Sequence, residues 1–235
     1  MRWQALGLAA LAFASPALAA PGMGNEVLGT EVSPGEIETE LRYDRLAGGA
    51  EDGEDVVQLE ASYAASGRLR LAIQAEFERE AGQSRQADSL GIQALYVLGR
   101  LGGVDVAVYG QYEIGFDRTD SIEAKLVFQH RPGPADLRLN LIAEKPLSTG
   151  APVELSYAVL ADSEISPNLR LGAQAFGELG TFRRLFERGG HFAGPVARLR
   201  LESSGLELEA SYLVALGSAR DDTKGQVRIA LGADF

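Results

Sequence analysis

The chain has 235 residues, 46% of them hydrophobic and 23% charged, with a formal net charge of −11 at pH 7. That balance fits one folded unit rather than a disordered tail, and the acidic excess argues against nucleic acid as a partner. Cysteine is absent, so hydrogen bonds and packing must hold the fold without disulfides.

Met1–Ala20 carries Arg2, an apolar stretch from Ala5 to Ala14 and the small-residue ending Ala17-Leu18-Ala19-Ala20, the layout of a secretory signal peptide. The stretch is too short for a membrane helix, and Pro21 and Gly22 follow at once. Without it the chain holds 21 basic and 33 acidic residues, a net charge of −12. Residues 21–35 read as a short N-terminal segment, and 36–235 as one structural unit.

From Ile37 onward the period is two. Ile37, Thr39, Leu41 and Tyr43 alternate with Glu38, Glu40, Arg42 and Asp44, which puts one set on each face of a strand. Val57, Leu59, Ala61 and Tyr63 follow, opposed by Gln58 and Glu60, then Leu69, Leu71, Ile73, Ala75 and Phe77, opposed by Arg70, Gln74, Glu76 and Glu78. Leu90 to Leu98 and Val104 to Ile114 supply the next two apolar rows, the second set against Asp105, Gln111 and Glu113. Ile122 to Phe128, Leu137 to Ala143, Val153 to Val159 and Leu169 to Ala175 continue the series. Ala197 to Leu201, Leu206 to Val214 and Val227 to Phe235 complete it. Twelve such rows, about ten residues apart and free of charge on the apolar parity, predict an all-β fold: a closed antiparallel up-and-down transmembrane β-barrel of about 12 strands. Pro195 sits badly in the tenth row and predicts either a strand that begins after it or a bulge.

Turns and aromatics favour a barrel with its apolar face outward. With the N-terminus placed in the periplasm, the connections at Ser66-Gly67, Arg100 to Gly103, His130 to Asp136, Asp162 to Asn168 and Ser203 to Gly205 are short and turn-rich. Those on the other side, at Gly48 to Asp55, Ala81 to Ala87, Gly180 to Gly190 and Ser218 to Gly225, are longer and more charged. In this topology 21–35 is a periplasmic segment. Tyr43, Phe77, Tyr112 and Tyr212 fall toward the outer strand ends, and Tyr63, Tyr96, Phe128 and Phe235 toward the inner ends, as two aromatic girdles at the membrane interfaces.

Gly225 to Phe235 ends on phenylalanine with an apolar residue at every second position, and it resembles the C-terminal targeting strand of Gram-negative outer-membrane barrel proteins. The resemblance implies residence in the bacterial outer membrane, insertion by the barrel assembly machinery, and contact with outer-membrane lipid and lipopolysaccharide. It extends to the architecture of the whole mature chain and names no narrower family.

Little points to catalysis. His130 is followed by Arg131-Pro132 and His191 by Phe192-Ala193, whereas outer-membrane phospholipases and lipid deacylases place a serine two positions after the histidine. Asp221-Asp222 is an acidic doublet in a loop, the only hint of paired carboxylates at the rim. No nucleotide or phosphate motif is present, two His and two Met give no metal-rich face, and no cofactor is expected. The chain is read as a non-enzyme.

The inward parity carries Glu38, Glu40, Glu60, Glu76, Glu78, Asp105, Glu113, Glu123, Glu144, Glu154, Glu178, Glu207 and Glu209, with Arg42, Arg70, Lys125, Arg138, Arg170, Arg198, Arg200 and Arg228. Acid outnumbers base. One reading is a water-filled channel for small hydrophilic solutes, with a field that favours cations; the other is a non-conducting structural or interaction barrel whose charges pair across and close the lumen. The outer loop from Thr181 to Arg188 combines Arg183, Arg184 and Arg188 with aromatics. It is suited to constrict the mouth, to meet lipopolysaccharide phosphates, or to stand in solvent.

Overall fold

The computed structural model describes residues 20–186, 189–201 and 204–235, so the leader expected over Met1–Ala20 lies, apart from Ala20, outside the described residues. Twelve strands form the wall: β1 Ile37–Gly49, β2 Asp55–Ala64, β3 Leu69–Arg79, β4 Gln86–Leu101, β5 Val104–Gly115 and β6 Ser121–His130, then β7 Ala135–Pro146, β8 Glu154–Ser166, β9 Leu169–Thr181, β10 Gly190–Leu201, β11 Leu206–Gly217 and β12 Thr223–Asp234. Each pairs antiparallel with its sequence neighbour. β12 returns to β1 in a ladder from Glu38↔Asp234 to Gly49↔Thr223, so the sheet is a closed barrel without an exposed edge. Among the described residues the only helical turn is a 3-10 turn at Ser218–Asp221.

The connections are asymmetric. Those at one end, such as 102–103 and 167–168, have two residues, while 147–153 at the other has seven. Short ends suit tight antiparallel turns and long ends free loops. Two expected turns shrink, because Asp136 lies inside β7 and Asp162 inside β8. Pro195 also departs from expectation. β10 runs through it, keeping its ladder to β9 at Pro195↔Ala173. Its ladder to β11 skips Gly194 and Pro195, from Ala193↔Val214 to Val196↔Ser211, without a shift of register. The missing proline N–H thus removes bridges but neither starts the strand nor bulges it.

The outer wall carries a belt of exposed apolar side chains, among them Ile37, Leu59, Ile73, Ile92, Leu126, Leu139, Leu171 and Ile229. A belt on this scale is unstable in water and stable against hydrocarbon. The interior holds apolar side chains beside the charged ones. Leu46, Val56, Ile142, Leu160, Phe176, Phe192, Val196 and Leu213 form one buried apolar cluster inside; Leu95, Ala107, Tyr109 and Val127 form a second.

Candidate functional site: an occupied lumen

The apolar clusters are covered by the chain's own N-terminal segment. Residues 20–34 form no ladder with any strand, yet they thread the barrel from the inner rim, where Gly35 N–H donates to Ala64 O at 2.8 Å, to the neighbourhood of Gly190 and Ala219, which flank Pro21. Residues 21–34, expected as a periplasmic segment, thus lie within the barrel wall in this structure. Met23 and Val27 enter the first apolar cluster and Leu28, packed near Val32, the second, which removes from water the apolar surface that drives the segment inside.

Wall side chains hold the segment by its main chain. Gly24 N–H donates to Asp44 Oδ2 at 2.8 Å. Leu28 N–H donates to Asn140 Oδ1 at 2.7 Å, and Asn140 Nδ2 returns a bond to Leu28 O at 3.1 Å. Gln129 Oε1 accepts from the Thr30 N–H at 2.8 Å and from its hydroxyl at 2.9 Å. Arg138 donates to Val27 O at 3.3 Å, Arg228 to Gly22 O at 2.7 Å and also to Asn25 O. Glu26 lies in the field of Arg70, Arg42, Arg138 and Lys125. Two glycines permit the close approach: at Gly22 (φ +89°) a Cβ would lie 2.5 Å from Phe176 Cγ, and at Gly24 (φ +71°) 2.7 Å from Gln58 Nε2.

Beside the segment, along Ala20 to Leu28, a cavity of about 750 Å³ opens among the long loops, with Thr119, Ser148, Ala151 and Pro152 at its mouth. It reaches no further along the segment than Leu28. Its wall holds Glu40, Glu60, Glu76, Glu78, Asp88, Glu113, Glu123, Glu144, Glu154 and Glu178 against Arg42, Arg118 and Lys125. Each cation is already matched: Arg42 pairs with Glu40 at 2.5 Å, Lys125 with Glu123 at 3.0 Å, and Arg118 with Asp88 at 2.8 Å and also with Glu113. The remaining carboxyl groups leave the cavity wall with an acidic surplus.

The other predicted lumen residues lie deeper or at the inner rim. Asp162 binds Arg170 at 2.6 Å and Arg198 at 2.6 Å, and Asp136 binds Arg138 at 2.7 Å. Arg228 faces Asp44 at 3.3 Å, Arg70 faces Glu38 at 3.4 Å, and Arg200 joins Asp234 at 2.9 Å and Glu207 at 3.6 Å. Asp105 pairs with Arg100 at 3.1 Å, and Glu209 stands opposite Arg198 in the ladder. The girdle residues Tyr43, Tyr63, Phe77, Tyr96, Tyr112, Phe128 and Tyr212 share the outward parity of the apolar belt, and Phe235 follows β12 exposed. Arg183 and Arg184 are exposed in a loop whose Arg184–Leu185 turns back onto Gly180–Thr181. Residues 182–186 are thus an exposed loop beyond the strand ends, while Arg188 lies outside the described residues. His130 Nδ1 donates to Gly103 O at 3.0 Å in a turn, and His191 meets Tyr157 Oη at 3.3 Å over Gly177.

Several residues that build the site were not selected from the sequence: Met23, Gly24, Val27, Leu28 and Thr30, and the wall groups Asp44, Asp88, Arg118, Gln129, Asp136, Asn140 and Asp162. A usable signal existed. Leu46, Val56, Leu95, Val127, Leu160 and Leu213 occupy inward parity, and a water-filled lumen gives such residues no partner.

No family model and no curated protein matches this chain. Solved structures do. The chain is similar to the COG4313 outer membrane channel from Pseudomonas putida F1, at 11% identity and a TM-score of 0.62 over 89% of this chain and 100% of that one. It is similar to the KdgM porin at 10% identity and a TM-score of 0.61, over 84% and 99% of the two chains; that porin is also known in complex with disordered oligogalacturonate. The NanC porin matches at 7% identity and a TM-score of 0.59, over 83% and 97%. The chain thus has the fold of the 12-stranded outer-membrane barrels.

Proposed function

We propose that this protein is a passive outer-membrane channel for small hydrophilic solutes, with a preference for cations. The observation that carries the reading is the outward-opening cavity of about 750 Å³, whose wall holds many more carboxylates than cations. A confined surplus of one sign concentrates counter-ions and sets selectivity. The neighbours that are porins and channels support it. Oligogalacturonate, a polyanion found with the KdgM porin, is a poor match to this wall, so the solute class is carried by the charges here and not by that likeness.

The apolar belt supports a seat in outer-membrane lipid after removal of the leader, and the last strand supports insertion by the assembly machinery. Exposed Arg183 and Arg184 are suited to lipopolysaccharide phosphates. No catalytic role is assigned to His130 or His191. A second reading, the non-conducting barrel, is favoured by one observation: the N-terminal segment threads the lumen from the inner rim to the outer strand ends.

Planar-bilayer recording under a salt gradient tests the first reading. Current is expected, with a reversal potential of the sign for cation preference that shrinks when Glu76, Glu144 and Glu154 are all changed to Gln. Silence both of the full chain and of a chain relieved of its lumen segment would leave only the second reading.

A further inference from the structure

The lumen segment differs from the barrel in how it is held. The twelve strands close on one another without it, and residues 20–34 take no part in the sheet, so the segment can leave without breaking one rung of the wall. Most of its hydrogen bonds run from wall side chains to its own main chain: Asn140 to both polar groups of Leu28, Gln129 and Asp44 to N–H groups, Arg228 and Arg138 to carbonyls. Side-chain recognition of main chain is how a groove holds an extended peptide. The segment contributes two charged anchors, Glu26 among four cations and Glu31 paired with Arg131, and the apolar anchors Met23, Val27 and Leu28.

The wall also bears a mark of incomplete satisfaction. Gln226 is fully buried with both side-chain polar atoms unpartnered, and Gln174 is buried with an unpartnered amide nitrogen. Gln226 stands level with Leu46 and Leu213, and Gln174 with Leu160, three members of the cluster that receives Met23 and Val27. Water admitted to that cluster would satisfy these amides, which favours a segment that can leave.

We propose that the lumen wall is a binding groove for an extended peptide, that residues 20–32 are its resident ligand, and that exchange of the segment out of the groove opens the barrel. The opening step rests on the channel reading above; the groove does not.

The test uses the full chain and a variant in which 21–32 are replaced by a Gly-Ser stretch of equal length. A fluorescent peptide of sequence 20–32 is added to each, folded in detergent, and anisotropy is read. The peptide is expected to bind the Gly-Ser variant and not the full chain, and its Glu26→Lys form to bind about tenfold or more weakly. In bilayers the Gly-Ser variant should conduct more than the full chain, and the peptide should return it to the closed level. Absence of peptide binding overturns the groove. Equal conductance of the two chains, with current flowing, overturns the gating step. Peptide binding with both chains silent supports the groove and overturns the channel reading instead. If the Gly-Ser variant does not fold, the chain's lack of cysteine allows a direct probe: Leu28→Cys should react with a water-soluble maleimide faster when Asn140→Ala accompanies it, and equal rates overturn the proposal.

Discussion

Asn140, buried on the wall of the barrel, holds Leu28 by both of its main-chain polar groups, accepting at 2.7 Å and donating at 3.1 Å. A strand gives its neighbour the same pair of bonds, and here one amide side chain supplies them to a segment with no strand partner. Asn140→Ala leaves a buried N–H and a buried C=O without partners. Each such group costs about 1–3 kcal/mol, so docking of the segment should weaken by at least about 2 kcal/mol, roughly thirtyfold or more. Cleavage after Glu26 and Glu31 by a glutamyl protease reports it, since the barrel wall should resist at the same dose. An unchanged cleavage rate would show that the amide clamp does not hold the segment.

Asp162 anchors the inner half of the barrel differently, through Arg170 and Arg198, both at 2.6 Å, while its own carboxylate is almost wholly buried. Asp162→Ala removes the shared anion and leaves Arg198 with Asp136 at 3.6 Å and Glu207 at 3.7 Å. Breaking a buried pair costs about 3–5 kcal/mol when the partner is stranded, and the residual partners place this case near the lower figure. The urea midpoint of the folded barrel should fall accordingly. Asp162→Leu with Arg198→Met should recover much of the loss, because well-packed apolar replacements escape the desolvation penalty.

The wall was legible in the sequence because a barrel strand writes its geometry at period two, and lipid tolerates no charge on the outward parity. Glu38, Glu40 and Arg42 on one face and Ile37, Leu41 and Tyr43 on the other leave little choice. The lumen segment was not legible in the same way. Pro21 to Gly35 has no period, because it is held by side chains reaching from β1, β6, β7 and β12, whose contacts span as many as 206 positions of sequence. Asp136 and Asp162 were read as turn residues because acidic residues favour turns; pairing with arginines inside the lumen outweighs that preference. Pro195 misled in the other direction, since a ladder can lose bridges on one side and keep its register through the other.

Ile92, on the outward face of β4, lies between Ile73 and Tyr112 in the adjoining strands and is more than half exposed. A residue so placed distinguishes lipid from water. Ile92→Arg should be destabilising in a bilayer, by up to about 2–4 kcal/mol and less with closeness to the outer interface, read as a shift in urea unfolding from lipid vesicles. In a water-soluble barrel the same change would be neutral, so an unshifted midpoint would argue against a membrane-facing wall.

At the outer mouth two loops meet: Glu51 N–H donates to Asp222 O at 3.2 Å, while the Glu51 side chain faces like charges. Partial burial first, then Glu54 and Asp222, push the Glu51 carboxyl above its ordinary range. A carboxyl whose pKa is raised by folding opposes the folded loop above its unfolded pKa, and that opposition fades as pH falls through the raised value. Glu51→Gln should therefore stabilise the loop contact at pH 7, by less than about 1 kcal/mol because the group is largely exposed. The difference from wild type should vanish once the carboxyl is protonated. Thermal unfolding of the two chains side by side at pH 7 and at mild acidity reads this directly. A gap that persists into acid would mean that the glutamine acts through packing rather than through charge.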